Sequence, residues 1–125
     1  HYLYNFLGIQ PEQDFVSAPL TPGKHTLGME FNRETSGQHG ESIGTTTLYI
    51  DGQPVSKGPM RAQPARFGLA GEGLSIGYDS GDTISPQYQS PATFTGGTIH
   101  NVTIDIGKQS FNDLQKEAAA VLEGN

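Results

Sequence analysis

An all-β fold is the class that this sequence predicts: an antiparallel β-sandwich, jelly-roll or concanavalin-like, followed by a C-terminal α-helix. Its 125 residues include 17 Gly and 8 Pro, which is typical of many short elements joined by turns. Apolar residues recur mostly at every second position, the period of a strand with one buried face. A helical pattern occurs only near the C-terminus, and no alternation of strands and helices is visible.

The chain has the length of one domain, and no internal repeat divides it. It opens at His1 directly on a strand pattern, without an initiator Met. We therefore expect residues 1–125 to be a single accessory domain, the C-terminal fragment of a longer protein.

The first strands are predicted from alternation. Residues 2–6 alternate aromatic and other side chains and predict a first strand. Leu27, Met29 and Phe31 alternate with Thr, Gly and Glu, which predicts a strand with one apolar face and one solvent-exposed polar face. The polar stretch from 32 to 44 is interpreted as a long surface loop.

The clearest local signal is a hairpin centred on Asp51-Gly52. Residues 45–50 are β-branched or aromatic, and 53–58 follow as the return strand. A two-residue type I′ turn needs positive φ at both central positions, which Asp and Gly tolerate. Pro54 has no N–H to donate, so the return strand is predicted to lie at a sheet edge.

Weaker patterns predict the remaining elements. Aromatic packing of the core is expected from Phe31, Tyr49, Phe67, Tyr78 and Phe94. The predicted elements are a short strand at Phe67 and Leu69, a strand from Leu74 to Tyr78, a Pro-containing loop to Pro91, the longest strand from Thr98 to Ile106, and a helix from Leu114 to Leu122 with Ser110 as its N-cap.

Charge and composition exclude several classes of function. Thirteen acids against seven scattered bases give a net charge of −6, so nucleic acid and anionic membrane surfaces are not expected partners. No apolar run approaches the roughly 20 residues of a membrane span. Without Cys there is no thiolate zinc site and no Cys nucleophile.

Few residues are candidates for a metal site. Asp79 and Asp82 are the most suggestive, because carboxylates in a loop at a sandwich edge can bind Ca²⁺. Their spacing does not match a calcium loop, and turn capping through Asx hydrogen bonds is the favoured interpretation. His39 and Glu41 are interpreted as solvated loop residues, since zinc needs three or four ligands. His100 is interpreted as a hydrogen-bonded residue at the edge of the core.

No catalytic constellation is visible. The sequence has no Gly-x-Ser-x-Gly elbow, no His-Glu-x-x-His helix and no phosphate-binding loop, so no catalytic or cofactor-binding residue is predicted. The absence of Trp counts against a sugar-stacking platform. The tyrosines that could still stack on sugars are Tyr2, Tyr4, Tyr49, Tyr78 and Tyr88.

A series of short motifs runs through almost the whole chain. They are Tyr4-Asn5 with Gly8, the strand 26–31, Leu48-Tyr49-Ile50-Asp51-Gly52, Val55, Gly58, Gln63-Pro64, Phe67, the run from Gly73 to Gly81, Ser85, Tyr88, Phe94-Thr95-Gly96-Gly97 and Ile104. In their order and spacing, these motifs resemble the C-terminal domain of large bacterial arylsulfatases.

The resemblance implies a sulfate-ester hydrolase as the parent protein. Sulfatases of this kind form a formylglycine nucleophile from a Cys/Ser-x-Pro-x-Arg motif beside a carboxylate-bound calcium. This chain has no such motif, so formylglycine and calcium are expected in a catalytic domain N-terminal to His1. The chain itself is expected to be catalytically inert, to support that domain as its partner, and to shape the access of a sulfated small molecule or glycan. The alternative is a carbohydrate-binding, lectin-like module.

Overall fold

The computed structural model describes residues 1–6, 9–64 and 73–106, which form seven strands and no helix. All strand pairs in this part are antiparallel, which confirms the all-β antiparallel class. The predicted strand at Phe67 and Leu69 and the predicted C-terminal helix lie outside the described residues. The strands are β1 (Tyr2–Phe6), β2 (Ile9–Phe15), β3 (Leu27–Ser36), β4 (Ser42–Ile50), β5 (Gln53–Ala62), β6 (Tyr78–Asp79) and β7 (Ala92–Thr93).

The chain divides into two compact units, His1–Thr93 and Phe94–Asn125. All seven strands belong to the first unit, where they form three sheets. The sheets are the hairpin β1-β2, the three-stranded sheet β3-β4-β5 and the short pair β6-β7. Of the second unit, residues 94–106 are described, and they contain no strand.

The Asp51-Gly52 hairpin is confirmed. The turn joins β4 to β5 with Ile50 paired to Gln53, and both central residues have positive φ, 52° at Asp51 and 77° at Gly52. These angles fit the type I′ turn that two-residue hairpins favour. Pro54 lies on β5, which is an edge strand of its sheet, as its missing N–H predicts.

Replacing Gly52 by Val should lower the free energy of unfolding by roughly 1 kcal/mol or more, because a β-branched residue resists positive φ. Gly52→Asn is the matched control, since Asn tolerates this region, and it should cost much less. Thermal melts of the three proteins check this, and equal melting temperatures for Gly52→Val and the parent would contradict the turn assignment.

The polar stretch from 32 to 44 is not the long loop that its composition suggests. Strand β3 continues to Ser36 and β4 already begins at Ser42, so only residues 37–41 connect them. Backbone pairing extends the strands, with Thr35 opposite Ile43 and Ser36 opposite Ser42. The prediction failed because side chains here are polar on both faces, which removes the period-2 signal but not the backbone hydrogen bonds.

The core lies between the β1-β2 hairpin and one face of the three-stranded sheet. Phe15, Leu48 and Met60 are buried, and Tyr2, Tyr4, Phe31 and Ala62 pack around them. The Phe15 ring lies over Gly58, 3.1 Å from the position that a Cβ would take there. The Gln13 side chain joins the layers by accepting from the Arg61 N–H at 2.7 Å and donating to the Arg61 carbonyl at 2.8 Å.

Several predicted apolar faces are exposed instead. The predicted strand from Leu74 to Tyr78 is replaced by the two-residue strand Tyr78–Asp79. Leu74 and Ile76 lie before it and are 73% and 49% exposed. No strand forms over the described residues of the predicted strand 98–106, where Ile104 is 64% exposed. His100 is exposed as well, so its placement at the edge of the core was wrong. Alternating apolar and polar residues give a segment one apolar face. A strand also needs a neighbouring strand for its backbone hydrogen bonds, and the sequence of one segment does not show whether that neighbour is present.

The expected aromatic core is likewise only partly formed. Of the five aromatic residues expected to pack there, Phe31 packs against the core. Tyr78 and Phe94 are 57% and 54% exposed, and Phe67 is not among the described residues. The core aromatic side chains come instead from the first hairpin, through Phe15 and its neighbours Tyr2 and Tyr4.

Candidate functional site

A histidine–aspartate pair joins the β2–β3 connection, residues 16–26, to the β4–β5 turn. Asp51 Oδ2 lies 2.7 Å from His25 Nδ1, and Asp51 Oδ1 accepts from the Thr26 N–H at 2.9 Å. The Asp51 N–H in turn donates to the Thr26 carbonyl at 2.8 Å. The turn residue that the hairpin signal identified therefore also anchors the start of β3.

Both nitrogens of the His25 ring face hydrogen-bond acceptors. Nε2 lies 2.7 Å from the Thr21 carbonyl oxygen, which can only accept, and Nδ1 faces the Asp51 carboxylate. The hydrogen bond to Asp51 and then that to Thr21 raise the pKa of His25 above its usual 6.5. The Thr26 N–H, followed by His25, lowers the pKa of Asp51 below 3.8.

The same cluster has the order of a catalytic triad, hydroxyl, imidazole and carboxylate. Thr21 Oγ1 lies 3.3 Å from His25 Nε2, and Asp51 holds the opposite ring nitrogen. A general base needs a lone pair on the nitrogen that faces the nucleophile. Here Nε2 lies nearer to the Thr21 carbonyl oxygen, at 2.7 Å, than to the hydroxyl, and while it donates to that carbonyl it has no lone pair for the hydroxyl. The geometry fits a structural role, in which His25 links Thr21 to Asp51. The sequence did not predict this pair because 26 residues separate His25 from Asp51.

Asp79 caps a turn, as the sequence favours. Its Oδ1 accepts from the Gly81 N–H at 3.3 Å, the local pattern of an Asx turn. The Tyr88 hydroxyl donates to Oδ2 of the same carboxylate and accepts from the Ile84 N–H at 3.0 Å. Asp82 lines an open depression of about 690 Å³ in the same loop. Within residues 1–6, 9–64 and 73–106, no three His, Asp or Glu side chains are grouped to hold a metal ion.

Glu41 is not the solvated loop residue that its surroundings suggest, because it is only 6% exposed. Its Oε2 accepts from the His39 N–H at 2.8 Å, and the loop is closed by the Gly37 N–H donating to the Glu41 carbonyl at 2.8 Å. Its own backbone N–H and that of His39 lower the pKa of Glu41. The carboxylate stabilises the β3–β4 turn, while His39 is exposed as expected.

The loop from 80 to 91 is attached to the β1-β2 hairpin by side-chain hydrogen bonds. Ser85, 1% exposed, donates to Glu12 Oε1 at 2.8 Å. Gln87 Nε2 donates to Asp14 Oδ2 at 3.2 Å, and Asn5 Nδ2 donates to the Ile84 carbonyl at 2.8 Å. These contacts join segments more than 70 residues apart, so local sequence patterns carried no signal for them.

The candidate sugar-stacking tyrosines differ in their surroundings. Tyr2 and Tyr4 pack against the core, and Tyr88 is bonded to Asp79. Tyr49 and Leu48 are neighbours on the central strand β4, so their side chains lie on opposite faces of the sheet. Tyr49 lies beside Gly28, and its hydroxyl donates to Glu30 at 2.9 Å. That hydrogen bond raises the pKa of Tyr49.

An apolar groove of about 250 Å³ lies at the turn end of the three-stranded sheet. We define it by Leu27, Met29, Leu48, Ile50 and Val55, with Tyr2 and Ser17 at its border. It continues the face that the β1-β2 hairpin covers farther along the sheet.

Comparison with known proteins gives no relative for this chain. No family model, no curated protein and no solved structure matches it. In the part of the chain that the structure describes, no helix is long and apolar enough to cross a membrane. The resemblance to arylsulfatases stays a prediction.

Proposed function

We propose that the chain is a non-catalytic accessory domain of an arylsulfatase. It packs on the catalytic domain of the same polypeptide and shapes access for a sulfated small molecule or glycan. Its antiparallel strands belong to a sandwich of the jelly-roll type. The observation that carries the proposal is the apolar groove, and the motif resemblance supplies the identity of the partner.

The groove has the character of a contact surface for protein. Leu27 is 62% exposed, Met29 43% and Val55 41%, although they flank the buried Leu48 on neighbouring strands. Burying such side chains is worth about 25 cal/mol per Å² of apolar surface. Contiguous exposed apolar patches of this kind mark interaction sites more often than scattered single residues do.

Docking through the groove predicts a face-specific effect in the intact enzyme. Leu27→Glu places a charge in the groove, and it should lower the melting temperature or raise KM for sulfate esters. Lys57→Glu is the control, because Lys57 is exposed and belongs to β5 of the same sheet. Equal effects of the two variants, or none in either, would contradict docking through this surface.

The alternative function, a lectin-like carbohydrate-binding module, is favoured by one observation, the placement of Tyr49. A ring set beside Gly28 and tethered through Glu30 could stack on a sugar while nearby polar groups bind its hydroxyls. A glycan array on the pure chain separates the two proposals. Binding that Tyr49→Ala abolishes and Tyr49→Phe retains would favour the module, and an array without binding would favour the accessory domain.

A further inference from the structure

We propose that His25 and Asp51 form a pH-operated latch that holds the β2–β3 connection, residues 16–26, to the β4–β5 turn. The latch is closed while His25 is protonated and opens when the ring loses its proton. It is a conformational device of the fold, and it holds whether or not the domain docks on a sulfatase.

The geometry requires a doubly protonated ring for full pairing. The two ring nitrogens each lie 2.7 Å from an acceptor, the Asp51 carboxylate at Nδ1 and the Thr21 carbonyl at Nε2. A neutral imidazole has one N–H and one lone pair. The Asp51 carboxylate retains the proton on Nδ1, so loss of the other proton directs the Nε2 lone pair at the Thr21 carbonyl oxygen. That contact becomes repulsive even though the Thr21 hydroxyl, 3.3 Å from Nε2, can donate to the ring.

The latch holds the second half of the connection, from Thr21 to Thr26. Thr21 lies near its middle, His25 near its end, and Asp51 on the turn across from both, so three points are fixed by one imidazolium. Asp51 adds a third contact by accepting from the Thr26 N–H. Breaking the His25 contacts leaves Thr26 tied to the turn and frees the segment before it.

The charges around the ring set the direction of the pH response. Among the described residues, Asp51 is the ionised group whose charge acts on His25, and the preceding Lys24 is exposed. The raised pKa of His25 means that its contribution is complete below 6.5 and is lost as pH rises through the folded value. The lowered pKa of Asp51 means that its contribution is present above 3.8 and is lost as pH falls through its own folded value.

Opening the latch acts on the apolar groove. Ser17, near the start of the connection, borders the groove, and Leu27, directly after its end, is one of its walls. The protonation state of His25 therefore controls how firmly the connection is held at the Ser17 border of the groove, while Leu27 stays paired in β3. A partner bound there would meet a more mobile border once the pH exceeds the pKa of His25.

The test follows the His25 ring and the backbone carbons of residues 16–26 by NMR between about pH 5 and pH 9. In the parent, the carbon chemical shifts of this segment should move toward random-coil values with the same midpoint as the His25 titration. Asp51→Asn keeps the turn and the acceptor for Thr26 but removes the charge, so it should move both midpoints to lower pH.

Two controls keep the test specific. His39→Gln removes an exposed histidine outside the latch and should leave the transition unchanged. His25→Gln should abolish the pH dependence of these chemical shifts in the connection while the hairpin stays folded. Constant chemical shifts in the parent across this pH range, or a midpoint that Asp51→Asn does not move, would overturn the latch.

Discussion

Replacing Phe15 by Ala should lower the free energy of unfolding by about 3–5 kcal/mol, the usual cost of removing a buried aromatic side chain. Phe15 is 8% exposed and fills the space above Gly58, between the hairpin and the three-stranded sheet. Its ring also contacts Tyr2, with centroids 6.2 Å apart.

The matched control for this prediction is Leu27→Ala. Leu27 is a large apolar residue of the same unit, but it is 62% exposed, so its loss removes little buried surface. Denaturant unfolding of the parent and both variants gives the comparison. Similar losses of stability for Phe15→Ala and Leu27→Ala would mean that the core is not where the structure places it.

Replacing Gly44 by Ala should cost more than the roughly 1 kcal/mol of a typical substitution. A Cβ at this position would lie 2.0 Å from the Asn32 carbonyl oxygen and 2.9 Å from the Arg33 Cα. Both are backbone atoms of the paired strand, next to the register shift between Arg33 and Thr35. They cannot rotate away as a side chain could, so the β3-β4 pairing has to distort.

Gly28→Ala is the control for Gly44→Ala, because Gly28 is also a glycine of the β3-β4 pair. A Cβ there would meet the Tyr49 side chain at 3.6 Å, an ordinary van der Waals distance. Its substitution should change the melting temperature little. A Gly44→Ala protein as stable as Gly28→Ala would contradict the close approach of the two backbones.

Local chemistry allowed some elements of the fold to be predicted well. The Asp51-Gly52 turn and its flanking strands follow from a requirement for positive φ that few residue pairs meet. The Asx cap at Asp79 is likewise a contact within three residues. In both cases the sequence contains all the atoms that form the interaction.

Long-range pairing set the limit of the prediction. Strand β2 was missed because Ile9–Phe15 has four polar residues and a Pro, yet it pairs with β1 and supplies the buried Phe15. Residues 98–106 alternate well but form no strand. The His25–Asp51 pair joins two segments that the fold brings together, and the turn signal at Asp51 gave no indication that His25 would be its partner.

Oxidation of the two methionines tests the accessory-domain proposal most directly. Met29 is 43% exposed in the apolar groove, and Met60 is 4% exposed in the core, so Met60 is an internal control. In the isolated chain, dilute peroxide should convert Met29 to the sulfoxide much faster than Met60. In the intact polypeptide with its catalytic domain, we expect Met29 to become as protected as Met60. A Met29 that oxidises equally fast in both proteins would contradict docking through the groove.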